Sequence, residues 1–223
     1  MPTQPTRRRS VITSILLLAG AAALQGCSTQ GKVSGDWAEG VTHNHTFKRV
    51  LVVGVSPDLD ARCTFERYLA VRIRSESTVA MTSCATVTKR DPLTRESIEE
   101  AVRAQNADAV VATILVSKEW HMKKGGDMDT RGGGGYKAVD SGWATGYYGV
   151  YGVPVIYGEF QTAPSVTTLK GDAEVITRVF ATSGPTLVYT MNTVVKDFEG
   201  RAEGLDAVTT PIAERLRSTG LTR

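Results

Sequence analysis

Three cysteines carry the most reactive side chains of the chain, and the surroundings of the first differ from those of the other two. Cys27 follows Gly26 and lies just after the apolar run 11–23, which three arginines precede with no acidic residue nearby. A basic start, a short apolar run and small residues at its end are typical of a secretory signal. The run is shorter than the roughly 20 apolar residues that span a bilayer. We therefore predict an exported chain rather than one with a membrane-spanning helix.

The residues Leu24-Gln25-Gly26-Cys27 resemble the lipobox of bacterial lipoproteins. The resemblance implies a signal peptide of residues 1–26, cleavage before Cys27, and a diacylglyceryl group with an amide-linked acyl chain on that cysteine. Stable anchoring takes more than one acyl chain, and this modification meets that condition. Ser28 follows the cysteine where inner-membrane lipoproteins of enteric-type bacteria carry Asp. The resemblance therefore implies a lipid anchor in the outer membrane, with the protein on its periplasmic face.

Cys63 and Cys84 remain as two further thiols, and an oxidising compartment favours a disulfide between them. Cys63 lies near the start of a predicted helix and Cys84 just past a predicted strand, which places both at the carboxyl edge of a parallel sheet. Against a bridge, Cys63 lies about 200° around the helix from the apolar Phe65. A disulfide and two separate buried thiols both remain open from the sequence.

Charge and length limit the classes of function. The 223-residue chain has 26 Lys and Arg and 23 Asp and Glu, and three of the arginines lie in the predicted signal. The remaining chain is therefore charge-balanced, which gives no support to nucleic-acid binding, since that needs a basic surface. Its length corresponds to about one domain. We predict a membrane partner through the lipid and no nucleic-acid partner.

The order of predicted elements indicates an α/β fold in one domain, 47–223, preceded by a lipidated flexible tether, 27–46. Arg49–Val55 is a continuous apolar run, typical of a strand buried on both faces. Ser56, Pro57 and Asp58 suit a helix start. For the first half we predict a strand at 49–55, a helix through Arg74, a strand at 78–81, a helix from 91–94 to Asn106, and a strand at 107–116. This β-α-β-α-β order predicts a parallel, three-layer-like arrangement.

The second half begins with a Gly- and Tyr-rich insert at about 121–166, which predicts a long loop or irregular hairpin. Residues 172–182 and 186–196 flank Ser183-Gly184-Pro185 and predict an antiparallel hairpin. A final helix should run from about Ala202 to Gly220. Pro211 should kink that helix or begin a second one.

Several of these stretches resemble bacterial envelope lipoproteins whose domain is similar to the amino-terminal domain of the Tol β-propeller protein. The family includes outer-membrane activators of penicillin-binding peptidoglycan synthases and the curli secretion lipoprotein. The stretches that carry the resemblance are Lys48–Gly54, Arg62–Glu66, Gln105–Val111 and Val179–Tyr189. The resemblance covers about residues 47–219 and implies the fold more than the function, because one fold serves unrelated functions.

Other residues that could do chemistry form no complete site in the sequence. His43 and His45 are close together, but a metal site usually needs three or four ligands. Asp58 and Asp60 follow the first strand, where α/β sheets often bind ligands, and equally suit a helix cap. The glycines at 132–135 lack the Lys-Ser/Thr of a phosphate loop. We predict no cofactor, no metal and no enzymatic activity.

The insert is the most distinctive candidate for a binding surface, because aromatic side chains are enriched at interaction hot spots. Its candidate partner-binding residues are Trp143, Tyr147, Tyr148 and Tyr151. A self-packed loop over the sheet explains them as well. We predict a binding or accessory module in cell-envelope assembly or regulation, whose partner is an envelope protein or a peptidoglycan component. The alternative is a subunit of an oligomeric outer-membrane secretion assembly.

Overall fold

One mixed β-sheet organises the computed structural model, which describes residues 31–56, 58–87, 93–124, 128–130, 135–140, 156–160, 169–184 and 186–223. Its strands are β1 (Lys32–Trp37), β2 (Arg49–Val55), β3 (Val79–Thr82), β4 (Ala109–Lys124), β5 (Met128–Thr130), β6 (Gly135–Asp140), β7 (Ile156–Phe160), β8 (Leu169–Ala181) and β9 (Thr186–Phe198). The helices are α1 (Leu59–Ile73), α2 (Arg95–Gln105) and α3 (Gly200–Ser218). The main path of the sheet runs β1-β9-β8-β4-β2-β3.

The parallel part of the sheet agrees with the prediction. β2 pairs in parallel with β3 on one side and with β4 on the other. The inner residues of β2 are fully buried. A strand with helices on both faces has no solvent side, which is why its sequence is a continuous apolar run.

Two hydrophobic clusters on opposite faces of this sheet make three layers. Val50 and Val52 belong to the cluster that contains the buried side chains of α1 and α3. Leu51 and Val53 belong to the cluster that contains Ile98 of α2. Successive side chains of a strand point to opposite faces, so one buried strand supplies both clusters. The predicted α/β fold with three layers is confirmed.

The ends of α1 and α2 follow from local sequence. The Asp58 side chain accepts a hydrogen bond from the Ala61 backbone N–H at 2.9 Å and begins α1. Thr94 and Ser97 form a capping box at the start of α2. Asn106 ends α2 in the left-handed region, with φ of 49°. An Asx or Ser/Thr cap supplies an acceptor for helix N–H groups that otherwise have none.

The antiparallel part of the sheet contains the predicted hairpin and extends beyond it. β8 and β9 pair antiparallel around the turn at 182–184, as predicted. β4 does not end at Val116, as the sequence led us to expect, but continues to Lys124 along β8. This part of β4 is less buried, so its residues after Val116 are largely polar. The sequence therefore lacks the apolar run that would have indicated a strand there.

The predicted insert includes extended chain where the structure describes it. β6 pairs antiparallel with β7 and with β4, and β5 pairs antiparallel with β4. An irregular hairpin was one of the two predicted forms, and a register shift between Ala138 and Asp140 makes the β6–β7 pair irregular. The segments 141–155 and 161–168 lie outside the described residues.

The predicted flexible tether, 27–46, is wrong for its central part. Residues 32–37 form β1, which pairs antiparallel with β9 at the edge of the sheet. Exposed and partly buried side chains alternate along β1, and the Trp37 ring packs edge-on against Tyr189 at 5.4 Å. The alternation of Val33, Gly35 and Trp37 with polar residues was the available sign of a strand in the sequence. It was weak because two of the six residues are Gly and Ser.

α3 runs through Pro211 without a second start, contrary to one of the two expectations. Proline has no N–H to donate to the carbonyl four residues earlier, which belongs to Ala207. The backbone of Gly31 lies against this carbonyl, so close that an added Cβ would sit 2.5 Å from the oxygen. The chain entering β1 therefore packs on the part of α3 that Pro211 leaves unbonded.

No helix within the described residues is both long enough and apolar enough to cross a membrane.

Gly35 tests whether β1 belongs to the folded domain. An added Cβ there would lie 2.7 Å from the Thr190 carbonyl oxygen and 2.8 Å from Met191 Cβ. We expect Gly35→Val to lower the free energy of unfolding by about 1–3 kcal/mol, as overpacking does. Denaturant unfolding measures this change.

Ser34→Val is the matched control, since Ser34 is an exposed neighbour on the same strand. Its effect should stay within about 0.5 kcal/mol. If the two variants have equal effects, or if Gly35→Val has none, residues 32–37 are a flexible tether and not a strand of the folded domain.

Candidate functional site

A cavity of about 140 Å³ lies where β2 ends and α1 begins, next to the first turns of α3. Its walls come from the two helices and from the strands β2, β4, β6, β8 and β9. Open α/β sheets often bind ligands at the carboxyl ends of their parallel strands. The cavity occupies that position, and it is the candidate site of this protein.

The inner wall of the cavity is mostly apolar, with Thr113 and Arg62 as its buried polar residues. Buried parts of Val175, Phe198 and Val208 line it, together with the partly buried Leu115. The one buried hydroxyl among the lining residues, that of Thr113, lies 2.9 Å from the Thr177 hydroxyl, so the two satisfy each other. The inner wall therefore favours an apolar group over a polar one.

The backbone packs closely against the Phe198 ring at two glycines. An added Cβ would lie 2.4 Å from the ring at Gly171 and 2.7 Å from it at Gly204. Trp120 packs edge-on against the same ring at 5.3 Å. Because strand β8 and helix α3 both come this close, the ring has little freedom to fill the cavity itself.

Charged side chains stand at the mouth. Lys118, Arg201 and Asp58 line the cavity and are more exposed than its inner wall. Burial lowers the pKa of Lys118, the positive charge of Arg201 lowers it further, and the negative charge of Asp58 partly offsets both. The Lys118 ammonium also lies 4.8 Å from the centre of the Trp120 ring. Two cations and one anion make the mouth positive.

A buried carboxylate behind the cavity joins three elements. Glu66 of α1 is fully buried and accepts hydrogen bonds from the Gly54 N–H at 3.0 Å, the Ser83 hydroxyl at 2.6 Å and the Cys84 N–H at 2.9 Å. The buried Arg62 lies one turn earlier, with its Nε 3.9 Å from the Glu66 carboxylate. Glu66 thus ties α1 to the end of β2 and to the 3-10 turn at Ser83–Ala85.

Burial raises the pKa of Glu66, and the donors Gly54, Ser83 and Cys84 with the Arg62 charge offset part of that rise. Between the unfolded value near 4.5 and the higher folded value, the folded state keeps a proton that the unfolded state has lost. Stability contributed by this group is therefore lost as pH rises through that window.

A disulfide joins Cys63 to Cys84, with the Cα atoms 5.7 Å apart. Cys63 and Glu66 are three residues apart on α1, so they lie on neighbouring positions of one helix side. That side faces both the end of β2 and the 3-10 turn. The helical angle between Cys63 and Phe65 therefore did not argue against a bridge, because its partner lies beside the helix.

The structure does not bring the other sequence candidates together. Asp58 caps α1, and His43 and His45 stack on Trp37 and Phe47 with ring centres 4.5 and 5.9 Å apart. No metal-binding group of three or more His, Cys, Asp or Glu occurs among the residues that the structure describes. Among the sequence candidates, Gly135 begins β6, whereas Cys27, Gly132–Gly134, Trp143, Tyr147, Tyr148 and Tyr151 lie outside the described residues.

The predictions from the sequence did not identify the charged residues in and beside the cavity. Lys118 lies in the part of β4 that the sequence did not indicate as a strand. Arg62 and Glu66 are a charged i,i+4 pair, which usually indicates a solvated helix face. Their burial could have been inferred only from their place on the side of α1 that also carries Cys63.

Comparison with known proteins finds no matching protein-family model and no matching curated protein. Two crystal forms of the PelC dodecamer from Paraburkholderia phytofirmans resemble the structure weakly. One, a point variant, has 17% identity and a TM-score of 0.45 over 87% of this chain and 100% of that chain. The other has 15% identity and a TM-score of 0.43 over 87% of this chain and 99% of that chain. Likeness at this level supports no conclusion about function.

Glu66 provides a test of the network. In Glu66→Ala the N–H groups of Gly54 and Cys84 lose their acceptor, and Arg62 loses its buried counter-charge. We expect the free energy of unfolding to fall by about 3–5 kcal/mol. Denaturant unfolding under oxidising conditions, which keep the disulfide, measures the loss.

Glu100→Ala is the control, since Glu100 is exposed on α2, and its effect should stay within about 0.5 kcal/mol. Glu66→Gln should also abolish the fall in stability that burial of Glu66 causes as pH rises above about 4.5. A loss below about 1 kcal/mol in Glu66→Ala would contradict the role given to this carboxylate.

Proposed function

We propose that this protein is an exported lipoprotein, anchored through Cys27 in the outer membrane, whose periplasm-facing domain is a non-catalytic binding or accessory module in cell-envelope assembly or regulation. The signal-like residues 1–26 and the lipobox-like sequence support export and anchoring. The apolar cavity with a charged mouth supports binding, because ligand sites are usually concave and apolar with a few placed polar groups.

The observation that carries the proposal is the disulfide between Cys63 and Cys84. Disulfides persist in the periplasm and outside the cell, and they are rare where thiols are kept reduced. Cys63 is almost fully buried, so the bond belongs to the folded interior. A disulfide built into the domain supports the same compartment that the signal predicts.

The position of β1 changes how the proposed anchor holds the domain. Gly31 packs against α3, and β1 begins at Lys32. Four peptide links join Cys27 to Gly31, and consecutive Cα atoms are 3.8 Å apart, so the two Cα atoms are at most roughly 15 Å apart. We therefore propose a domain held close to the membrane, in place of the long reach that a tether of 27–46 would allow.

The proposed partner is an envelope protein or a peptidoglycan component. We propose that its surface includes Trp143, Tyr147, Tyr148 and Tyr151, which follow β6 in the sequence. Tyr136 of β6 lines the cavity. The strand that precedes the aromatic segment in the sequence thus forms part of the candidate site.

Lipid attachment and export are tested together in living cells. The wild-type protein should incorporate labelled palmitate, and Cys27→Ser should not, since the thiol is the acyl acceptor. In the wild type, Cys63 and Cys84 should resist alkylation until a reductant is added. Ser28→Ala is the control and should be labelled like the wild type. An unlabelled wild-type protein that keeps Met1 and has free thiols would refute this proposal.

The aromatic surface is tested by replacing Trp143, Tyr147 and Tyr148 with Ala. In vivo crosslinking from position 151 should trap a partner in the parent protein. In the triple variant the yield of crosslinked partner should fall at least about tenfold, because aromatic side chains dominate hot spots. Replacing the exposed residues Glu96, Glu100 and Arg103 of α2 with Ala is the control. Unchanged crosslinking by a folded triple variant would exclude this surface.

The second candidate function is a subunit of an oligomeric outer-membrane secretion assembly. β1 is the edge of the main sheet path, and within the described residues its outer side pairs with no strand. Such an edge can pair with another chain. The mass of the detergent-extracted protein separates the candidates, since a single-copy mass excludes the assembly.

A further inference from the structure

We propose that the cavity between α1 and α3 binds a small organic carboxylate, with the apolar body inside and the carboxylate at the mouth. This inference rests on the proposed binding function and names the chemistry of its ligand. The ligand is an aryl or branched-alkyl group that ends in a carboxylate, whether it comes from a free acid or from the last residue of a peptide.

The volume of the cavity limits the apolar body. About 140 Å³ is available, close to the roughly 150 Å³ of an engineered apolar cavity that binds benzene. One benzene ring or one leucine-sized group therefore fits, and a long acyl chain does not. Phe198 cannot supply that group itself, because Gly171, Gly204 and Trp120 hold its ring in the wall.

Burial sets the direction in which such a ligand enters. Val175, Phe198 and Val208 are at most 6% exposed. Lys118 is partly buried and Arg201 is exposed. The Thr113 hydroxyl already has its partner in Thr177, and the buried Arg62 guanidinium already contacts Glu66, Cys84 and Val87. An apolar group entering first loses no hydrogen bond there, and its polar end stays at the mouth.

The charges at the mouth select an anion. Arg201 lies near enough to Lys118 to disfavour its positive charge, and no described carboxylate lies within 4.0 Å of the Lys118 ammonium. Among the described residues Asp58 is the one acid in the wall, and it already caps α1. Arg62 is held by Glu66, Cys84 and Val87. A carboxylate between Lys118 and Arg201 would relieve their repulsion and accept charge-assisted hydrogen bonds.

The test is a ¹⁹F NMR titration of the full-length protein in detergent with fluorophenylpropionate, using protein-free detergent as the blank. We expect saturable binding. The neutral analogue fluorophenylpropionamide should bind at least about tenfold more weakly, which is the effect of losing one charge-assisted hydrogen bond. Equal binding of acid and amide, or no binding of the acid at millimolar concentration, would overturn the proposal.

Variants locate the bound probe. Lys118→Met keeps the length of the side chain without its charge and should weaken acid binding about tenfold. Lys137→Met, on the exposed neighbouring position of β6, should leave it unchanged. Val175→Phe should fill the cavity and abolish binding, and Leu205→Trp tests the same point on the more exposed wall if Val175→Phe does not fold. Unchanged affinity in the folded cavity-filling variant would place the probe elsewhere and overturn the site.

Two further probes distinguish the sources of the carboxylate. An acetylated dipeptide that ends in phenylalanine should bind more tightly than fluorophenylpropionate if peptide ends are the ligands, and more weakly if free acids are. The titration does not depend on where the protein resides. If palmitate labelling fails but the probes bind, the anchoring proposal is refuted and the ligand site stands. If every probe fails to bind but labelling succeeds, the ligand site is refuted and the anchoring proposal stands.

Discussion

The buried carboxylate of Glu66 is the constraint on which the site depends. It receives the N–H of Gly54 from β2, and the hydroxyl of Ser83 and the N–H of Cys84 from the turn after β3, the parallel neighbour of β2. A carboxylate with neither solvent nor donors would be far too costly to bury, so the end of β2 and the turn after β3 must stay in place for α1 to pack. The disulfide adds a covalent link between the same helix and the same turn.

This arrangement leaves space rather than a packed core on the other side of α1. Gly54 admits the helix closely, with an added Cβ lying 3.3 Å from Arg62. α3 begins beside it through a turn in which Asp197 and Gly200 both have positive φ. The first turns of the two helices thus meet over β4 and β8 without filling the gap between them. A rigid frame with a residual cavity is the usual form of a preorganised binding site.

The positive mouth and the charge-balanced chain are compatible. Pairs such as Lys196 with Asp172 and Lys170 with Glu199 neutralise charges nearby on the sheet and the start of α3. Lys118 and Arg201 form no such pair with a described carboxylate. Local charge selects ligands at short range, whereas net charge acts on distant encounters, so a neutral protein can carry a cationic site.

The sequence by itself determined the α/β class, the buried β2, both capped helices, the β8–β9 hairpin and the apolar stripe of α3, because each depends on periodicity or on a cap within a few residues. Tertiary structure alone decided that residues 32–37 are a strand, that β4 reaches Lys124 and that Cys63 meets Cys84. It also decided that Arg62 and Glu66 are buried. These features depend on partners far away in the chain: β9 for the first strand, β8 for the extension, and the turn after β3 for α1. A local pattern indicates which face of a segment is apolar, but only the packed chain determines which neighbouring element covers that face.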